Sequence, residues 1–488
     1  MTENKSDSIK KKTMSNLIWR FAERSGAQGV SFIVSIVLAR FLAPEAYGTV
    51  ALVTVFTTIL QVFVDSGLGT ALIQKKNADD IDFSTVFYFN FTVCVLLYLG
   101  MFFLAPYIAQ FYRQPELVSL IRVISLTLVI SGVKNIQQAF VSRNMLFKRF
   151  FYATIGGTIF SAVLGITMAY LGFGAWSLVA QQLSNAAIDT LILWITVKWR
   201  PKWVFSLERL KSLFSFGWKL LVSAVLDSVY NNLRQLITGK MYTPANLAFY
   251  NKGNQFPHLI VTNINTSIDS VLLPVMSDAQ DDKERVKVMT RRAIKTSTYV
   301  MAPLMMGLAF VAPVLIELLL TEKWLPCVPF LRIFCITYMF YPIHTANLNA
   351  IKAMGRSDLF LKLEIAKKTI GMVLLISTMW FGVMAMAYSL LVSSLFSQII
   401  NAWPNRKLLN YGYWEQLKDI LPGILLAVLM GGCVNILRFL PLHQITILVL
   451  QIILGAIIYI SCSAIFKFES FQYLWGIVKL YVSKSKRS

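Results

Sequence analysis

The sequence predicts an all-α polytopic membrane protein, and three observations predict it: composition, hydropathy and an internal repeat. The 488 residues are 56% hydrophobic and only 14% charged. Fourteen apolar stretches follow one another, and each is close to the roughly 20 residues that cross about 30 Å of hydrocarbon. Because no water is present there to satisfy the backbone, apolar stretches of this length must be helices.

The predicted spans are read from hydropathy in chain order. They lie at 16–42, 47–68, 84–110, 117–140, 152–172, 175–197, 212–239, 246–274, 293–319, 327–353, 359–381, 384–403, 419–439 and 443–466. The residues before the first span are polar and basic, and no A-x-A site follows its apolar run. We therefore expect an uncleaved span rather than a signal peptide.

Landmarks recur between the first six spans and the next six. The turn at Pro44 has a counterpart at Pro244, 200 residues later. Arg122 opens the fourth span and Arg332 opens the tenth, 210 residues later. Accidental alignment of apolar helices of similar length is the alternative to a true repeat.

The repeat predicts two parallel lobes of six helices each. Six is an even number, so both halves start on the same side of the membrane and the repeat axis follows the membrane normal. This is the plan of a transporter whose substrate binds between the halves. The expected segments are the N-terminal lobe, the C-terminal lobe, and two additional spans with a basic tail, at 1–203, 204–410 and 411–488.

The net charge of +22 is explained by membrane topology. Basic clusters recur at every second turn between spans, whereas the opposite turns hold few Lys or Arg residues. Cytoplasmic loops carry such an excess, so we expect both termini in the cytoplasm. The lipid bilayer is thus an expected partner and nucleic acid is not.

Sequence motifs for common catalytic chemistry are absent. The chain has no G-x-x-x-x-G-K-[ST], H-E-x-x-H or G-x-S-x-G segment, which argues against ATP hydrolysis by the chain itself. Its five cysteines and three histidines are scattered, so neither a disulfide framework nor a zinc site is indicated. We expect no catalytic residue, no metal and no cofactor.

The seventh and eighth spans carry two cations at similar depth. Arg234 lies ten residues before Pro244, and Lys252 lies eight residues after it. At about 1.5 Å per residue, they lie about 15 and 12 Å below the outer surface. Ionisable residues inside a membrane are costly and mark substrate or ion paths, which predicts an anion-binding site. Pairing of one cation with a carboxylate such as Asp227 or Asp189 is the alternative.

Charges also mark the inner ends of two hairpins. Arg20 and Arg24 share one helical face of the first span, and the following turn brings Arg24 level with Asp65. Lys219 and Asp269 repeat this arrangement in the seventh and eighth spans. These residues predict an entrance for a charged head group or a gate, and ordinary interfacial ion pairs are the alternative.

Two further residues share the repeat spacing. Lys134 in the fourth span and His344 in the tenth are 210 residues apart. With Asp65, Asp227 and Asp269, they are candidates for gating or ion coupling, because a histidine titrates near physiological pH. A structural histidine with satisfied hydrogen bonds is the alternative.

Four segments resemble the Wzx polysaccharide flippases, and most closely the WzxC-like branch of the multidrug/oligosaccharidyl-lipid/polysaccharide exporter superfamily. They are LARFLAPEAYGTVALV at Leu38–Val53, ISGVKNIQQAFVSRNMLFKR at Ile130–Arg149, GFGAWSLVAQQL at Gly172–Leu183 and AFYNKGNQF at Ala248–Phe256. They are landmarks of structure rather than catalytic signatures, and the resemblance covers nearly the whole chain in the same order.

The resemblance implies a flippase of the bacterial inner membrane. Its substrate would be an undecaprenyl-pyrophosphate-linked oligosaccharide, moved to the outer leaflet by alternating access, with polysaccharide polymerase machinery as a further partner. Lys252 occupies a position where such proteins carry a basic residue after a Tyr-Asn pair, whereas Arg234-Gln235 departs from the acid–base pair expected there. Lys252 and Arg234 would bind the pyrophosphate, and Arg20 and Arg24 would meet the incoming head group.

Two other functions are alternatives to the flippase. A MATE-like multidrug or metabolite exporter carries organic cations and favours carboxylates in its cavity, which fits poorly with Arg234 and Lys252 near the midplane. A membrane glycan polymerase or ligase needs a large outward loop with reactive side chains, and the outward turns here are short.

Overall fold

The computed structural model describes residues 2–65 and 68–485, with the side chains of residues 2–18, 21, 215–217, 219–220 and 480–485 outside that description. Helices account for nearly all of these residues, and the described ranges contain no strand. The all-α fold class that the sequence predicts is confirmed.

The first half of the chain forms nine helices and the start of a tenth. They are α1 (Thr2–Phe41), α2 (Pro44–Asp65), α3 (Leu68–Gln74), α4 (Asp80–Tyr112), α5 (Leu117–Ile124), α6 (Leu126–Arg143), α7 (Phe147–Tyr170), α8 (Ala175–Thr196), α9 (Leu207–Met241) and α10 (Pro244–Asp278).

The second half continues with eight helices. They are α11 (Lys283–Leu320), α12 (Val328–Met339), α13 (Tyr341–Ala353), α14 (Ser357–Thr378), α15 (Val383–Leu408), α16 (Tyr413–Ile436), α17 (Gln444–Ile465) and α18 (Glu469–Ser485). Short 3-10 segments, Glu322–Cys327 and Leu437–Phe439, precede α12 and follow α16.

Eleven helical segments of the described residues are long and apolar enough to cross a membrane. The other three predicted spans, at 16–42, 212–239 and 359–381, fall on the continuous helices α1, α9 and α14. Charged residues within these three helices lower their hydropathy, for example Arg20 in α1 and Arg234 in α9. In a membrane bundle, such residues face the interior or a water-filled cavity rather than lipid.

The fourth and tenth predicted spans are each divided at one residue. The fourth consists of α5 and α6 with Ser125 between them, and the tenth consists of α12 and α13 with Phe340 between them. The second span contains α2, which ends at Asp65, and α3, which begins at Leu68, with residues 66–67 outside the described part of the chain. The matching interruptions in spans four and ten are a structural counterpart of the sequence repeat.

The chain forms two compact units, Met1–Ala248 and Phe249–Ser488, which we call unit 1 and unit 2. Helix α9 therefore belongs to unit 1, where it packs on α2, α3 and α4. The lobe boundary between residues 203 and 204 that the repeat predicts lies before α9 and stays a prediction about the repeat.

Unit 1 is built around closely packed helix pairs. The α7–α8 pair is its most extensive contact, and α1 packs along α7. A Cβ at Gly157 would lie 3.1 Å from the Asn185 carbonyl oxygen of α8, so a glycine permits this approach. The buried apolar core includes Leu38, Leu52 and Ile121.

Unit 2 is organised around α11, which packs on α12, α13, α16 and α17. Helix α14 packs chiefly on α15. A cluster that includes Ile343, Ala350 and Tyr411 joins α13 to the segment before α16. These helices expose large apolar side chains on their outer faces, such as Leu429 and Ile457, as expected of a surface in contact with lipid.

Candidate functional site

The two predicted entrance arginines of α1 have different surroundings. The Arg20 guanidinium lies 2.7 Å from the Glu23 carboxylate and 5.0 Å from the centroid of the Phe150 ring on α7. Glu23 is 8% exposed, and its carboxylate also accepts a hydrogen bond from the Thr154 hydroxyl. Arg24 is exposed and forms no ion pair with any described side chain. Only Arg24 therefore presents its charge for a ligand.

A buried ion pair lies inside unit 1. The ammonium of Lys134 on α6 lies 2.6 Å from the carboxylate of Asp189 on α8, and the Asp189 side chain is only 9% exposed. Sequence reasoning placed Asp189 beside Arg234 or Lys252 as a possible counter-ion, but the structure pairs it with Lys134. The signal for this pair is in the sequence, since both residues interrupt apolar spans with opposite charge.

Asp65 is the last described residue of α2. Its carboxylate accepts a hydrogen bond of 3.2 Å from the Gln61 amide of the same helix. The Val64 carbonyl accepts hydrogen bonds from two amide side chains, Asn90 of α4 and Asn135 of α6. These bonds bring two side-chain donors to the backbone of Val64, which is itself buried.

The predicted hairpin pairs are not seen as ion pairs. No described salt bridge joins Arg24 to Asp65. The side chain of Lys219 lies outside the described part of the structure. Asp269, its expected neighbour in level, accepts a hydrogen bond of 2.9 Å from the amide of the buried Asn349.

Lys252 is buried inside unit 2. It is 5% exposed, although it lies within a helix long enough to cross a membrane. Its ammonium donates a 3.1 Å hydrogen bond to the Gln255 amide oxygen and lies 5.7 Å from the centroid of the Trp324 ring. The next residue, Gly253, permits close packing, because a Cβ there would lie 2.9 Å from the Cys327 carbonyl oxygen. Burying a charge is costly, so Lys252 is an intramembrane cation that a ligand anion would stabilise.

Arg234 and Asp227 lie on α9 in unit 1. Both are half-buried, and both have interactions with other residues. The Thr238 hydroxyl donates a 2.8 Å hydrogen bond to the Arg234 carbonyl, one turn earlier in the helix.

His344 of unit 2 is held by neutral groups. Its Nδ1 lies 3.1 Å from the amide nitrogen of Asn401, and its Nε2 lies 3.4 Å from the Ser394 hydroxyl, both on α15. The amide can only donate, so Nδ1 accepts and Nε2 carries the proton of a neutral imidazole. These neutral hydrogen bonds fit a structural histidine, the alternative interpretation of its sequence position, and the gating or coupling role of His344 stays a prediction.

Sequence reasoning missed a buried amide network in unit 2. Asn347 of α13 exchanges hydrogen bonds of 2.8 and 3.0 Å with Gln416 of α16. Asn405 of α15 donates a 2.7 Å hydrogen bond to Asn347. All three side chains are at most 1% exposed. The sequence signal is limited to polar residues in apolar spans, and it does not say which of them meet.

A second connection of unit 2 is ionic. Both oxygens of Asp419 on α16 accept 2.8 Å hydrogen bonds from the Arg291 guanidinium on α11. The Tyr411 hydroxyl donates to the same carboxylate at 2.8 Å. This network fixes the first of the two additional C-terminal spans to α11.

A cluster of carboxylates outside the spans caps α4. The Asp79 side chain accepts hydrogen bonds from the backbone amides of Ile81 and Asp82 and from Arg209 at the start of α9. The bond from the Asp82 amide is the main reason that the pKa of Asp79 is lowered, and Arg209 adds to it. The cap is therefore ionised at neutral pH, and it ties the start of α9 to the start of α4.

The chain is similar to proteins named for polysaccharide biosynthesis and transport. A family described as "Polysaccharide biosynthesis protein" matches residues 37–329. Teichuronic acid biosynthesis protein TuaB of Bacillus subtilis is 26% identical over 385 residues, covering 77% of this chain and 78% of that protein. Lipopolysaccharide biosynthesis protein WzxC of Escherichia coli is 24% identical over 401 residues, covering 81% and 80%. Succinoglycan biosynthesis transport protein ExoT of Rhizobium meliloti is 25% identical over 309 residues, and that match spans 63% of each protein, less than two thirds.

Two solved structures share the fold at low sequence identity. The lipid II flippase MurJ, in an inward closed conformation, has a TM-score of 0.74 at 15% identity and covers 92% of this chain and 98% of that one. An inward-facing MATE transporter of the MOP superfamily has a TM-score of 0.61 at 15% identity, covering 80% and 98%. These likenesses establish the fold, and because one of these proteins is a flippase and the other a multidrug transporter, they do not choose between substrates.

Proposed function

The chain belongs to the polysaccharide biosynthesis protein family, and from this premise we propose that it is a flippase for undecaprenyl-pyrophosphate-linked oligosaccharides. It moves the lipid-linked sugar across the bacterial inner membrane by alternating access, with both termini in the cytoplasm. Polysaccharide polymerase machinery then uses the translocated repeat unit. Relatives named for three different surface polysaccharides support an exporter of glycan precursors.

One observation carries the choice of an anionic head group. Lys252 is a buried lysine inside a membrane-crossing helix, in contact with an amide and an aromatic ring. We assign Lys252 and Arg234 to binding of the pyrophosphate. Each would contact it in the state of the transport cycle in which its side chain is accessible to the substrate. Charge-assisted hydrogen bonds from ammonium and guanidinium groups are the usual ligands of phosphate.

The entrance is assigned to Arg24 rather than to both arginines of α1. Arg20 is already paired with Glu23 and stacked on Phe150. Arg24 is exposed and forms no ion pair with a described side chain. Arg20 therefore fixes the geometry of α1 on α7, and Arg24 meets the incoming phosphate.

An exporter of organic cations is the second candidate, and one observation favours it. Asp65 is an exposed carboxylate on α2 of unit 1, and it lines an open cavity. A carboxylate in a cavity is the group that would bind a cationic drug. A polymerase or ligase has no such support, because the longest stretch between described helices runs only from Val197 to Ser206.

A reconstituted transport assay tests the proposal. Purified protein in proteoliposomes should expose a radiolabelled undecaprenyl-pyrophosphate oligosaccharide on the opposite face, where a glycosidase can reach it. Replacing Lys252 and Arg234 by alanine should slow this at least about tenfold per cation, because each loses a charge-assisted hydrogen bond. The control is Arg438→Ala, which removes an exposed positive charge from a 3-10 segment outside the assigned site.

The two possible failures are distinct. Wild-type protein that moves no lipid-linked oligosaccharide contradicts the flippase. Unchanged transport by the Lys252→Ala/Arg234→Ala protein, at equal membrane level, contradicts only the residue assignment.

A further inference from the structure

Unit 1 contains a polar groove that the pyrophosphate assignment does not use. It is an open cavity of about 360 Å³ between α2, α6 and α9, and six of its seven lining side chains are polar. These six are Thr57, Thr58, Gln61, Asp65, Thr127 and Ser228. Polar side chains are costly in membrane helices unless they meet a partner or water. So many of them at one cavity indicate a hydrated, ligand-facing surface.

The hydrogen bonds around the groove leave acceptors available. The Thr57 hydroxyl donates to the Thr54 carbonyl at 3.0 Å, and the Thr127 hydroxyl donates to the Ile124 carbonyl at 2.6 Å. The Gln61 amide donates to Asp65 at 3.2 Å. A hydroxyl has one proton and two lone pairs, and an amide oxygen also accepts. The hydroxyl protons of Thr57 and Thr127 and one of the two amide protons of Gln61 are thus used within the helices, while the hydroxyl, amide and carboxylate oxygens can still accept from a ligand.

The charge of the groove separates it from a phosphate site. Among the described residues that line the groove, Asp65 alone is ionisable, and its carboxylate is negative. A pyrophosphate would be repelled there. A neutral ligand with many hydroxyl donors would instead find acceptors, one of them a charged carboxylate that forms the stronger kind of hydrogen bond.

The position of Asp65 is fixed by its surroundings. The amides of Asn90 and Asn135 hold the Val64 carbonyl next to it. The Gln61 amide holds one of its carboxylate oxygens. A group held in this way loses little freedom when it binds a ligand, which is the basis of preorganised recognition.

We propose that this groove binds the neutral sugar residues of the lipid-linked oligosaccharide, with Thr58, Gln61 and Asp65 as specificity-determining residues. The proposal rests on the flippase function and divides the substrate between two sites. Lys252 and Arg234 bind the pyrophosphate, and the groove of unit 1 recognises the sugars through its hydrogen-bond acceptors. Asp65 then acts in sugar selection rather than as a gate.

Binding of two matched lipids tests this division. The first probe is the lipid-linked repeat unit extracted from cells that make the polysaccharide, and the second is the same lipid after its sugars have been removed enzymatically. Both are titrated onto the purified full-length protein in nanodiscs. The variants are Thr58→Val with Gln61→Leu, and separately Asp65→Asn. Thr369→Val is the matched control, because Thr369 is exposed on α14 and bonds only its own helix in the described contacts.

The double variant should bind the glycosylated lipid about tenfold more weakly, as expected for the loss of two net hydrogen bonds. Its affinity for the sugar-free lipid should stay within about twofold of wild type, as should both affinities of the control. Ser228→Ala on α9 serves as a second, less disruptive variant if the double variant is unstable.

Three results would overturn the sugar-binding role of the groove, and a fourth would contradict the function on which it rests. An equal loss of affinity for both lipids would show that the substitutions affect phosphate binding or folding rather than sugar binding. If every variant binds the glycosylated lipid as tightly as wild type does, the groove does not bind the sugar. Binding of tetraphenylphosphonium that disappears in Asp65→Asn, with no effect on the glycolipid, assigns the groove to organic cations. Wild-type protein that binds neither lipid contradicts the flippase function itself.

Discussion

The fourth and sixth spans of unit 1 and their counterparts in unit 2 occupy corresponding places in the repeat but use different chemistry. In unit 1, Lys134 and Asp189 meet as an ion pair 2.6 Å apart. In unit 2, 210 residues after Lys134, His344 meets the neutral Asn401. Both units therefore have a side-chain contact between these two spans, but the contact is ionic in unit 1 and neutral in unit 2.

The difference shows which contacts the repeat requires. Arg122 donates to the Phe102 carbonyl at 3.3 Å, and Arg332 donates to the Ala309 carbonyl at 3.1 Å. An arginine bonded to a carbonyl of the preceding span thus occurs in both units. The charge at the position of Lys134 or His344 occurs in one unit only, so its role goes beyond holding the helices together.

Breaking the ion pair is expected to have the largest effect on stability. Lys134→Met leaves the Asp189 carboxylate buried without its partner, which costs about 3–5 kcal/mol of the free energy of unfolding. His344→Met in unit 2 loses only neutral hydrogen bonds and should cost about 1–3 kcal/mol. Thermal unfolding of the purified variants in one detergent gives the comparison.

A double variant serves as the control for that experiment. Lys134→Met with Asp189→Leu removes both charges and should recover most of the loss, because no buried charge is left uncompensated. A His344→Met protein that is as unstable as Lys134→Met would contradict the contrast between the two units.

The paired arginines give a smaller and more specific difference. The Arg122 guanidinium lies 4.1 Å from the centroid of the Phe102 ring, whereas the acceptor residue for Arg332 is an alanine. Arg122→Gln should therefore destabilise the protein more than Arg332→Gln, by about 0.5–2 kcal/mol for the cation–π contact. In a Phe102→Ala background the two substitutions should destabilise the protein equally. A difference that persists would show that another contact causes it.

The cap of α4 should give the smallest effect. Asp79→Ala removes the capping box and should cost about 1 kcal/mol. The pKa of Asp79 is lowered in the folded state, so the contribution is complete above about pH 4 and is lost as the pH falls through the folded pKa. Thermal unfolding of the variant and the wild type should thus converge in acid, while Asp281→Ala in the loop before α11 should match wild type throughout.

The sequence predicted the fold well because hydropathy and length are local properties. A stretch of apolar residues must be a helix in a membrane whatever its neighbours are. The resemblance to polysaccharide flippases is confirmed by the family match over residues 37–329. The low hydropathy of α1, α9 and α14 was also in the sequence, as charges that apolar spans do not normally contain.

Side-chain partners were predicted less well because they depend on helix rotation and depth. Counting residues from a turn placed Arg24 level with Asp65, yet Asp65 bonds Gln61 of its own helix. The same count could not pair Lys134 with Asp189, which lie 55 residues apart on helices that are not consecutive spans. Depth along a helix is set by rise per residue, whereas the facing direction is set by packing against neighbours.

The sequence alone determined that this protein is a helical membrane transporter with a repeated plan and with cations inside its spans. Those properties follow from hydropathy, spacing and the cost of charge in hydrocarbon, all of which are local. Only the tertiary structure decided that Arg20 is already paired, whereas Arg24 has no ion pair among the described side chains, and that Lys252 is buried against Trp324. It also decided that six polar residues from α2, α6 and α9 form one groove. The physical reason is that a binding surface is made by residues far apart in the chain, and only the packing of helices brings them together.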